Sequence, residues 1–517
     1  MRHQFGMLDW SVVIVYMFVV LLIGAVVSRK QTDTRYFFLA GRTMPAWAVS
    51  LSVLATALSA ATFIGAPQMA FDGDLTYLIT NIGSVIAAFI IAFLFVPPIY
   101  RAGTVTIYGY LGQRYGTGAR SAAGVMFLLG RLLSSGARLF MAGIGFSLML
   151  YGETGTNELI FAVVLLGIIG TAYTIFGGIR AVIWTDALQI TVMVIAALCS
   201  VWLLLRAIPV STTEILTALQ DADGVNKLRL VNTEFSLGNA YTLWAGVFAM
   251  IVVGVSTHGV DQDMAQRVMT ARSPWQGGWA LISSIVVGIP VILIFMVIGL
   301  LLYVFYQRPD IMGAAVPQDV IEDTRRVFPQ FVLYHMPAGL RGLTMAGLIA
   351  AAMSTFDSAI NAMASCLVAD VYAPWRAWRG RTTDDASMPN LTGSRLAVGI
   401  MGALLTVFAI AAIYMQERGG DLLINFALGV MAFALAPLLG VFCAALFTKR
   451  GNTGSVFVAF AVGIAAVLLL QPYMLPKWLD VAIAWPWWWV IVSPLCFGVC
   501  VLGTPKNNAT QPEGCET

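Results

Sequence analysis

Residues 350–362, AAAMSTFDSAINA, place hydroxyl, amide and carboxylate side chains inside a long apolar stretch. At 100° per residue, Ser354, Ser358 and Asn361 fall on one narrow face of a helix, with Asp357 at its edge. A carboxylate at membrane depth costs at least a few kcal/mol, roughly, so this face indicates a functional site. The alternative is a polar patch whose groups satisfy one another between packed helices.

The composition around this stretch is that of a membrane protein. The chain has 517 residues, of which 59% are hydrophobic and 11% are charged, whereas a soluble domain carries about 25% charged residues. Apolar runs of about 20 residues, enough to cross a bilayer, recur along the chain. We therefore expect an all-α integral membrane protein with about 13 transmembrane helices in a lipid bilayer. A net charge of +3 gives no reason to expect a nucleic-acid partner.

The runs predict one transmembrane domain, residues 1–503, followed by a disordered cytoplasmic tail at 504–517. The predicted spans are 10–28, 46–70, 75–98, 120–150, 157–175, 180–205, 240–260, 277–306, 339–371, 393–414, 421–447, 453–471 and 486–502. Arginine and lysine concentrate in alternate loops. The positive-inside rule then places the N-terminus outside and the C-terminus inside, in the plasma (inner) membrane.

Two of these spans contain helix-breaking residues at matching places. The first interruption covers residues 58–62, and the second covers residues 254–259. Paired breaks of this kind are typical of transporter binding sites, because unwound backbone exposes carbonyls and amides. Their separation by five spans predicts two inverted repeats, at about 46–205 and 240–447, with extra helices at 10–28, 453–471 and 486–502.

Four stretches resemble the sodium/solute symporter family. They are GGIRAVIWTDALQ at 177–189, DQDMAQR at 261–267, AGRTMPAW at 40–47 and MST at 353–355. Within the family, the chain resembles the sialic acid transporter branch. The resemblance implies a five-plus-five inverted-repeat bundle with broken helices, and solute uptake driven by Na⁺ through alternating access.

The resemblance also implies a main sodium site between the first break and the polar helix face. The matching ligands are the backbone carbonyls and hydroxyls of Ala55, Leu58, Ala351, Ser354 and Thr355. Neutral oxygen atoms suit sodium, because it is a hard cation that must also be released.

Some relatives hold a second sodium ion beside the first, and the positions that match it are Asp186, Asp357 and Ser358. Asp357 stands where those relatives have serine. Three alternatives stay open: the two carboxylates hold a second sodium, share a proton, or pair with an arginine. Asp186 alone also fits a structural role as a tether between helices.

For the solute, the resemblance implies contacts from Ser59, Thr62, Tyr77, Asn81 and Arg131. Arginine recognises carboxylates with two parallel hydrogen bonds, so Arg131 favours an organic acid. The alternative is that Arg131 pairs internally with Asp357. Arg138, seven residues further on the same helix face, has no counterpart in that branch and indicates a more acidic solute.

These observations predict a sodium-coupled symporter that imports a small organic solute, such as sialic acid or another sugar acid, and acts as a monomer. Alternatives are a neutral sugar, proline or a vitamin, or a solute sensor or channel without coupled transport. An enzyme is not expected, because no catalytic set of side chains gathers at one depth.

Overall fold

The computed structural model describes residues 5–28, 33–152, 154–222, 224–313, 324–380, 390–419, 422–471, 474 and 483–504. These ranges are helical, and the β-structure within them is limited to two isolated bridges. The all-α prediction is therefore confirmed. Apart from Thr504, the predicted tail at 504–517 lies outside the described residues.

We number eighteen helices in chain order and leave single turns unnumbered. The helices are α1 Met7–Ser28, α2 Thr34–Leu39, α3 Ala46–Ala57, α4 Ala60–Asp72, α5 Thr76–Ala102, α6 Tyr108–Tyr115, α7 Thr117–Tyr151, α8 Thr156–Ala207, α9 Thr212–Gln220, α10 Ala245–Val260, α11 Gln262–Met269, α12 Pro274–Gln307, α13 Val327–His335, α14 Leu340–Trp378, α15 Leu391–Gly419, α16 Leu422–Phe447, α17 Thr453–Leu469 and α18 Trp485–Leu502.

Within the described ranges, eight helices are long and apolar enough to cross a membrane, or nine if the bent pair of α3 and α4 is one span. Three shorter apolar segments, Ala245–Val260, Met431–Phe447 and Thr453–Leu469, fall below that length. The number of 13 spans therefore stays a prediction.

Helix α8 covers two of the predicted spans. Its 52 residues correspond to about 78 Å, more than twice the thickness of a bilayer core. The backbone leaves helical geometry at Gly178, where φ is 55° and ψ is −165°. A Cβ atom there would lie 2.6 Å from the Phe37 carbonyl oxygen, so glycine is required for both reasons. The bend lies between predicted spans 157–175 and 180–205.

The first predicted helix break is present between α3 and α4, whose axes are bent by 61°. Leu58 and Ser59 join the two helices in extended conformations, with ψ angles of 94° and 176°. The break leaves carbonyl groups in the last turn of α3 without helical N–H partners. Pro67 lies inside α4 and does not end it.

The second break is also present, but it lies at Asp261, just after the predicted 254–259. Helix α10 ends in a π-helical turn at Ser256–Val260. Asp261 is extended, and its side chain caps α11 by accepting a hydrogen bond from the Asp263 N–H at 2.9 Å. A carboxylate therefore stands at the junction.

Helix α14 lies at the centre of the bundle. In its most apolar 18-residue window 94% of the residues are buried, against 22% for α1. It packs against α1, α3, α7, α8 and α15. The polar face of residues 350–362 therefore meets other helices rather than lipid.

The first turn of α14 is anchored by Asp9 of α1. One carboxylate oxygen of Asp9 accepts the N–H groups of Gly339, at 2.8 Å, and Gly342, at 3.0 Å. The other oxygen accepts a hydrogen bond from Arg341 at 2.9 Å. These bonds satisfy N–H groups that a helix start leaves free, and they fix the position of α14.

Candidate functional site

Oxygen atoms gather where the broken end of α3 meets α14. The Ser354 hydroxyl donates to the Ala55 carbonyl across the interface at 3.0 Å, and it lies 3.2 Å from the Ala351 carbonyl of its own helix. The Thr355 hydroxyl reaches the same Ala351 carbonyl at 3.3 Å. Leu58 forms the cap of α3 at the break. All five residues are buried.

These oxygens are neutral carbonyl and hydroxyl groups held at hydrogen-bonding distance from one another. Such a set can exchange its internal hydrogen bonds for a small hard cation, because each hydroxyl can turn its hydrogen away and offer a lone pair. The predicted main-site residues Ala55, Ala351, Ser354 and Thr355 are in direct contact, and Leu58 lies at the adjoining break.

A narrow cavity, too small in this conformation to hold a water molecule, lies beside this cluster, between α4, α7 and α14, and a solute would need it to open. Thr355 contributes to its wall as well as to the oxygen cluster. The lining residues are Ser59, Ala60, Ser135, Arg138, Leu139, Ala352, Thr355 and Phe356. A solute in this cavity would lie next to an ion at the oxygen cluster.

The cationic group in this wall is Arg138. It is partly buried, and it forms neither an ion pair nor a hydrogen bond with any residue that the structure describes. A guanidinium group in an apolar bundle is stabilised by an anion, so this position can bind one.

Arg131, which was predicted to bind the solute carboxylate, lies two helix turns from Arg138 and already forms ion pairs within the protein. Its guanidinium is 2% exposed, approaches Asp261 at 3.1 Å and contacts Asp263. The alternative pairing of Arg131 with Asp357 is wrong, because the second helix break brings Asp261 and Asp263 to Arg131 instead.

Thr62, Asn81 and Tyr77 were also predicted to contact the solute, but they do not line this cavity. The Thr62 N–H donates to the Ser59 carbonyl at 2.8 Å, and the Asn81 amide donates to the Leu78 carbonyl of its own helix. Tyr77 packs edge to face against Tyr241, with 5.7 Å between ring centroids.

A second polar centre forms around Arg267 of α11, about one turn along α14 from the oxygen cluster. The guanidinium is fully buried, and its Nη1 donates to the Asp263 carboxylate at 2.6 Å. Its Nε donates to the Ser52 hydroxyl at 2.9 Å. Its Nη2 lies 3.4 Å from Asp186 and also contacts the Ser358 hydroxyl.

Asp357 takes different partners from Asp186. The Tyr173 hydroxyl of α8 donates to one carboxylate oxygen of Asp357, and the Ser358 hydroxyl lies 3.2 Å from the other. The structure therefore brings Asp186 and Ser358 together through Arg267, while Asp357 is bound by Tyr173.

Comparison with known proteins identifies this architecture. The family model described as "Sodium:solute symporter family" matches residues 37–463, most of the chain. The chain belongs to the sodium:solute symporter family.

Individual family members agree with that assignment. The sodium/sialic acid symporter SiaT of Proteus mirabilis is 26% identical over 467 residues, covering 90% of each chain. The human sodium/iodide cotransporter is 30% identical over 464 residues, covering 87% of this chain and 68% of its own length.

Solved structures show the same fold. A substrate-bound, outward-open Na⁺-coupled sialic acid symporter superposes with a TM-score of 0.81 at 23% identity, covering 96% of this chain and 97% of its own. Mhp1, a nucleobase-cation-symport transporter, superposes with a TM-score of 0.58 at 16% identity, covering 90% and 92%. These likenesses support the five-plus-five architecture with broken helices.

Membership of the sodium:solute symporter family establishes the class of function. The protein is an integral membrane symporter that couples sodium to a small-molecule solute, and it is not an enzyme. The prediction of sodium-coupled transport is confirmed.

Some residues of the site were not predicted as such. Asp263 and Arg267 are four residues apart in the DQDMAQR stretch, a spacing typical of an ion pair on one helix turn, and that signal was available. For Arg138 the sequence indicated a more acidic solute, but it did not place this residue in the wall of the solute cavity. Nothing in the sequence pointed to Ser52 or Tyr173, because their partners come from distant segments.

Proposed function

We propose that this sodium:solute symporter imports a small solute carrying a carboxylate, with sialic acid as the first candidate. The observation that carries the proposal is Arg138, a guanidinium in the cavity wall that has no anionic partner within the described parts of the chain. A carboxylate can accept two parallel hydrogen bonds from such a group. The cavity lining also includes the hydroxyl-bearing residues Ser59 and Ser135.

This proposal transfers the role expected of Arg131 to Arg138. The two arginines are seven residues apart on α7, so they share a face about 10 Å apart. Arg131 is neutralised by Asp261 and Asp263, and a solute anion would have to compete with two buried carboxylates for it. For Arg138, no carboxylate of the described residues competes with the solute, and Arg138 is the arginine in the cavity wall.

For sodium, we propose that the ligands are the carbonyls and hydroxyls of Ala55, Leu58, Ala351, Ser354 and Thr355. The supporting geometry is the contact between the broken end of α3 and the polar face of α14. A sodium ion there would replace the Ser354 to Ala55 hydrogen bond with ion–oxygen contacts. It would hold the two helices together more strongly than that single bond does.

Coupling follows from the position of Thr355. This residue belongs to the proposed sodium site and also lines the cavity. A bound sodium ion therefore orders one wall of the solute cavity and places a positive charge near a solute carboxylate. By linkage, the solute raises the affinity for sodium by the same factor.

The solutes of the relatives support an anion. Several of the similar proteins are named for sialic acid, iodide or monocarboxylates, which are negatively charged at neutral pH, and the name of another specifies multivitamins. Sialic acid also carries the hydroxyl groups that Ser59 and Ser135 can hydrogen-bond. A neutral sugar would leave Arg138 without a counter-charge in the loaded state, whereas proline, which also carries a carboxylate, is separated from sialic acid only by the uptake test.

For topology, we propose a monomer in the plasma (inner) membrane with 13 spans, the N-terminus outside and the C-terminus in the cytoplasm. The support is the concentration of basic residues in alternate loops, such as those carrying Arg42, Arg101 and Arg272. The predicted loops also contain the basic residues Arg29, Lys30 and Arg381 and the acidic residue Glu153, which lie outside the described residues. The repeats at about 46–205 and 240–447 belong to the same proposal, within a domain of residues 1–503.

The test is uptake into proteoliposomes containing the purified protein. An inward sodium gradient is expected to drive uptake of sialic acid but not of N-acetylmannosamine, a neutral sugar that lacks the carboxylate. A potassium gradient of the same size serves as the control. Equal uptake with sodium and potassium would refute the proposal, and preferential uptake of the neutral sugar would refute the carboxylate.

The role of Arg138 is tested by two matched variants. We expect Arg138→Gln to weaken sialic acid uptake about a hundredfold, because a desolvated charge contact of this kind contributes roughly 2–5 kcal/mol. Arg138→Lys keeps the charge and is expected to retain part of the uptake. An unchanged KM in Arg138→Gln would remove this residue from the solute site.

A further inference from the structure

The position expected for a second sodium ion already contains a cation of the protein itself. A second sodium beside the first would need oxygen atoms from Asp186, Asp357 and Ser358. In the structure, Asp357 accepts from Tyr173, while Asp186 and Ser358 both contact Arg267. These residues therefore do not fit a second sodium in the arrangement that the structure shows.

The decisive geometry is that one nitrogen atom, Nη2 of Arg267, serves both oxygens. It lies 3.4 Å from the Asp186 carboxylate and contacts the Ser358 hydroxyl. A metal ion that bound both oxygens would have to lie close to this nitrogen. The two positive charges would repel each other strongly in a fully buried environment.

The guanidinium is also completely engaged. Its five N–H groups match five acceptor contacts: Ser52 at Nε, the Asp263 carboxylate and carbonyl at Nη1, and Asp186 and Ser358 at Nη2. The acceptors come from α3, α8, α11 and α14. Arg267 therefore neutralises charge and joins helices, as a structural cation would.

What remains beside Arg267 does not form a cation site. One oxygen of Asp186 accepts from Ser52 at 2.5 Å, and its other oxygen has no hydrogen-bond partner within the described residues. A hard cation prefers several oxygen ligands, and of the oxygens that could supply them one Asp186 oxygen and the Ser358 hydroxyl already contact the Arg267 cation.

We propose that Arg267 is a tethered cation that takes the place of a second sodium ion, so that this symporter moves one sodium ion per solute. The inference rests on the sodium coupling described above and is independent of which solute is carried. With a solute of charge −1, such a cycle transfers no net charge across the membrane.

The experiment measures binding of radioactive sodium to the purified protein without any solute, as ions bound per chain at saturation. The wild-type protein is expected to bind one. The double variant Ser354→Ala, Thr355→Ala, which keeps the native Arg267, is expected to bind no sodium ion. Because no solute is present, failure of sialic acid uptake would leave this result unaffected.

Two substitutions of Arg267 separate its charge from its packing. Arg267→Met keeps much of the volume without the charge and is expected to raise binding from one to two sodium ions per chain. Arg267→Lys keeps a cation in the same place and is expected to remain at one. A purely structural role would not produce this difference.

Three results would overturn the proposal. The first is binding of two sodium ions by the wild-type protein. The second is binding of one sodium ion by the Ser354→Ala, Thr355→Ala variant. The third is binding of only one sodium ion by folded Arg267→Met. If Arg267→Met does not fold, the wild-type and Ser354→Ala, Thr355→Ala measurements decide the question on their own.

Discussion

Ser354 and Ser358 are the same residue type, one helix turn apart on the same face of α14, yet they belong to different chemical environments. Ser354 meets the neutral carbonyl of Ala55 at 3.0 Å. Ser358 contacts the guanidinium of Arg267 and lies 3.2 Å from the Thr56 hydroxyl. The first environment can exchange its hydrogen bonds for a mobile ion, and the second contains a permanent one.

The difference comes from the helices opposite α14. Ser354 faces the last turn of α3, where the Ala55 carbonyl is available to a partner outside the helix because the helix ends two residues later. At Ser358, α3 presents a side chain instead, the Thr56 hydroxyl. The two serines therefore differ in whether α3 offers them a backbone carbonyl or a side chain.

The largest effect is expected from Asp263→Asn, which removes a negative charge from the environment around Arg267. This carboxylate contacts Arg267 and Arg131, so its neutralisation leaves two buried arginines short of counter-charge. Breaking a buried ion pair costs about 3–5 kcal/mol. We expect a lower apparent Tm of the purified protein, with sodium binding by the remaining folded fraction unchanged.

The matched control is Asp310→Asn. Asp310 is 58% exposed and pairs with Arg308 at 2.8 Å, outside the bundle core. Exposed pairs contribute little because water screens them. We expect no measurable change in Tm, and equal shifts for the two variants would contradict the distinction between buried and exposed pairs.

The next effect concerns the neutral environment. If the Ser354 and Thr355 hydroxyls each contribute about 1.5 kcal/mol, as hydrogen bonds to charged groups do, replacing both by alanine should raise the sodium concentration for half-maximal uptake about a hundredfold. Uptake at varied external sodium measures this.

Ser358→Ala is the comparison variant for the sodium measurement. It removes a hydroxyl that donates to the Ser354 backbone carbonyl but contacts neither the Ser354 nor the Thr355 hydroxyl, so we expect the sodium requirement to change by about twofold or less. If Ser358→Ala matched the effect of replacing Ser354 and Thr355, the two environments would not be separate.

The smallest effect is expected from Ser52→Ala. Ser52 donates to Asp186 at 2.5 Å and accepts from Arg267 at 2.9 Å, so the variant leaves a buried N–H group unpaired. The expected loss of stability is about 1–3 kcal/mol, without a change in sodium requirement. Ser50→Ala on the same helix, whose partner is the neutral Ser283 at 3.0 Å, should cost less in the same melting experiment.

Much of the fold was predictable from local patterns. Apolar runs indicated membrane helices, and clustered small and helix-breaking residues indicated the break at Leu58 and another within a few residues of Asp261. The polar side chains of residues 350–362 indicated a buried functional face. These features were accessible because each depends on neighbours within one or two helix turns.

The partners of that face were less predictable. Asp357 was the obvious ion ligand in the sequence, yet in the structure it is bound by Tyr173 from a segment 184 positions away. Arg131 was expected to bind the solute carboxylate, but the helix break at Asp261 brings the carboxylates of Asp261 and Asp263 to it. Such pairings depend on helix bends and crossings, which local periodicity does not encode.

By itself the sequence determined that this is a helical membrane protein with two broken helices, a face of hydroxyls suited to sodium, and the family to which it belongs. The tertiary structure alone decided which arginine is paired and which faces the cavity, and that Arg267 lies between Asp186 and Ser358. The reason is physical. The affinity of a side chain for an ion or a solute depends on the charges within a few ångströms of it, and here those charges come from four different helices.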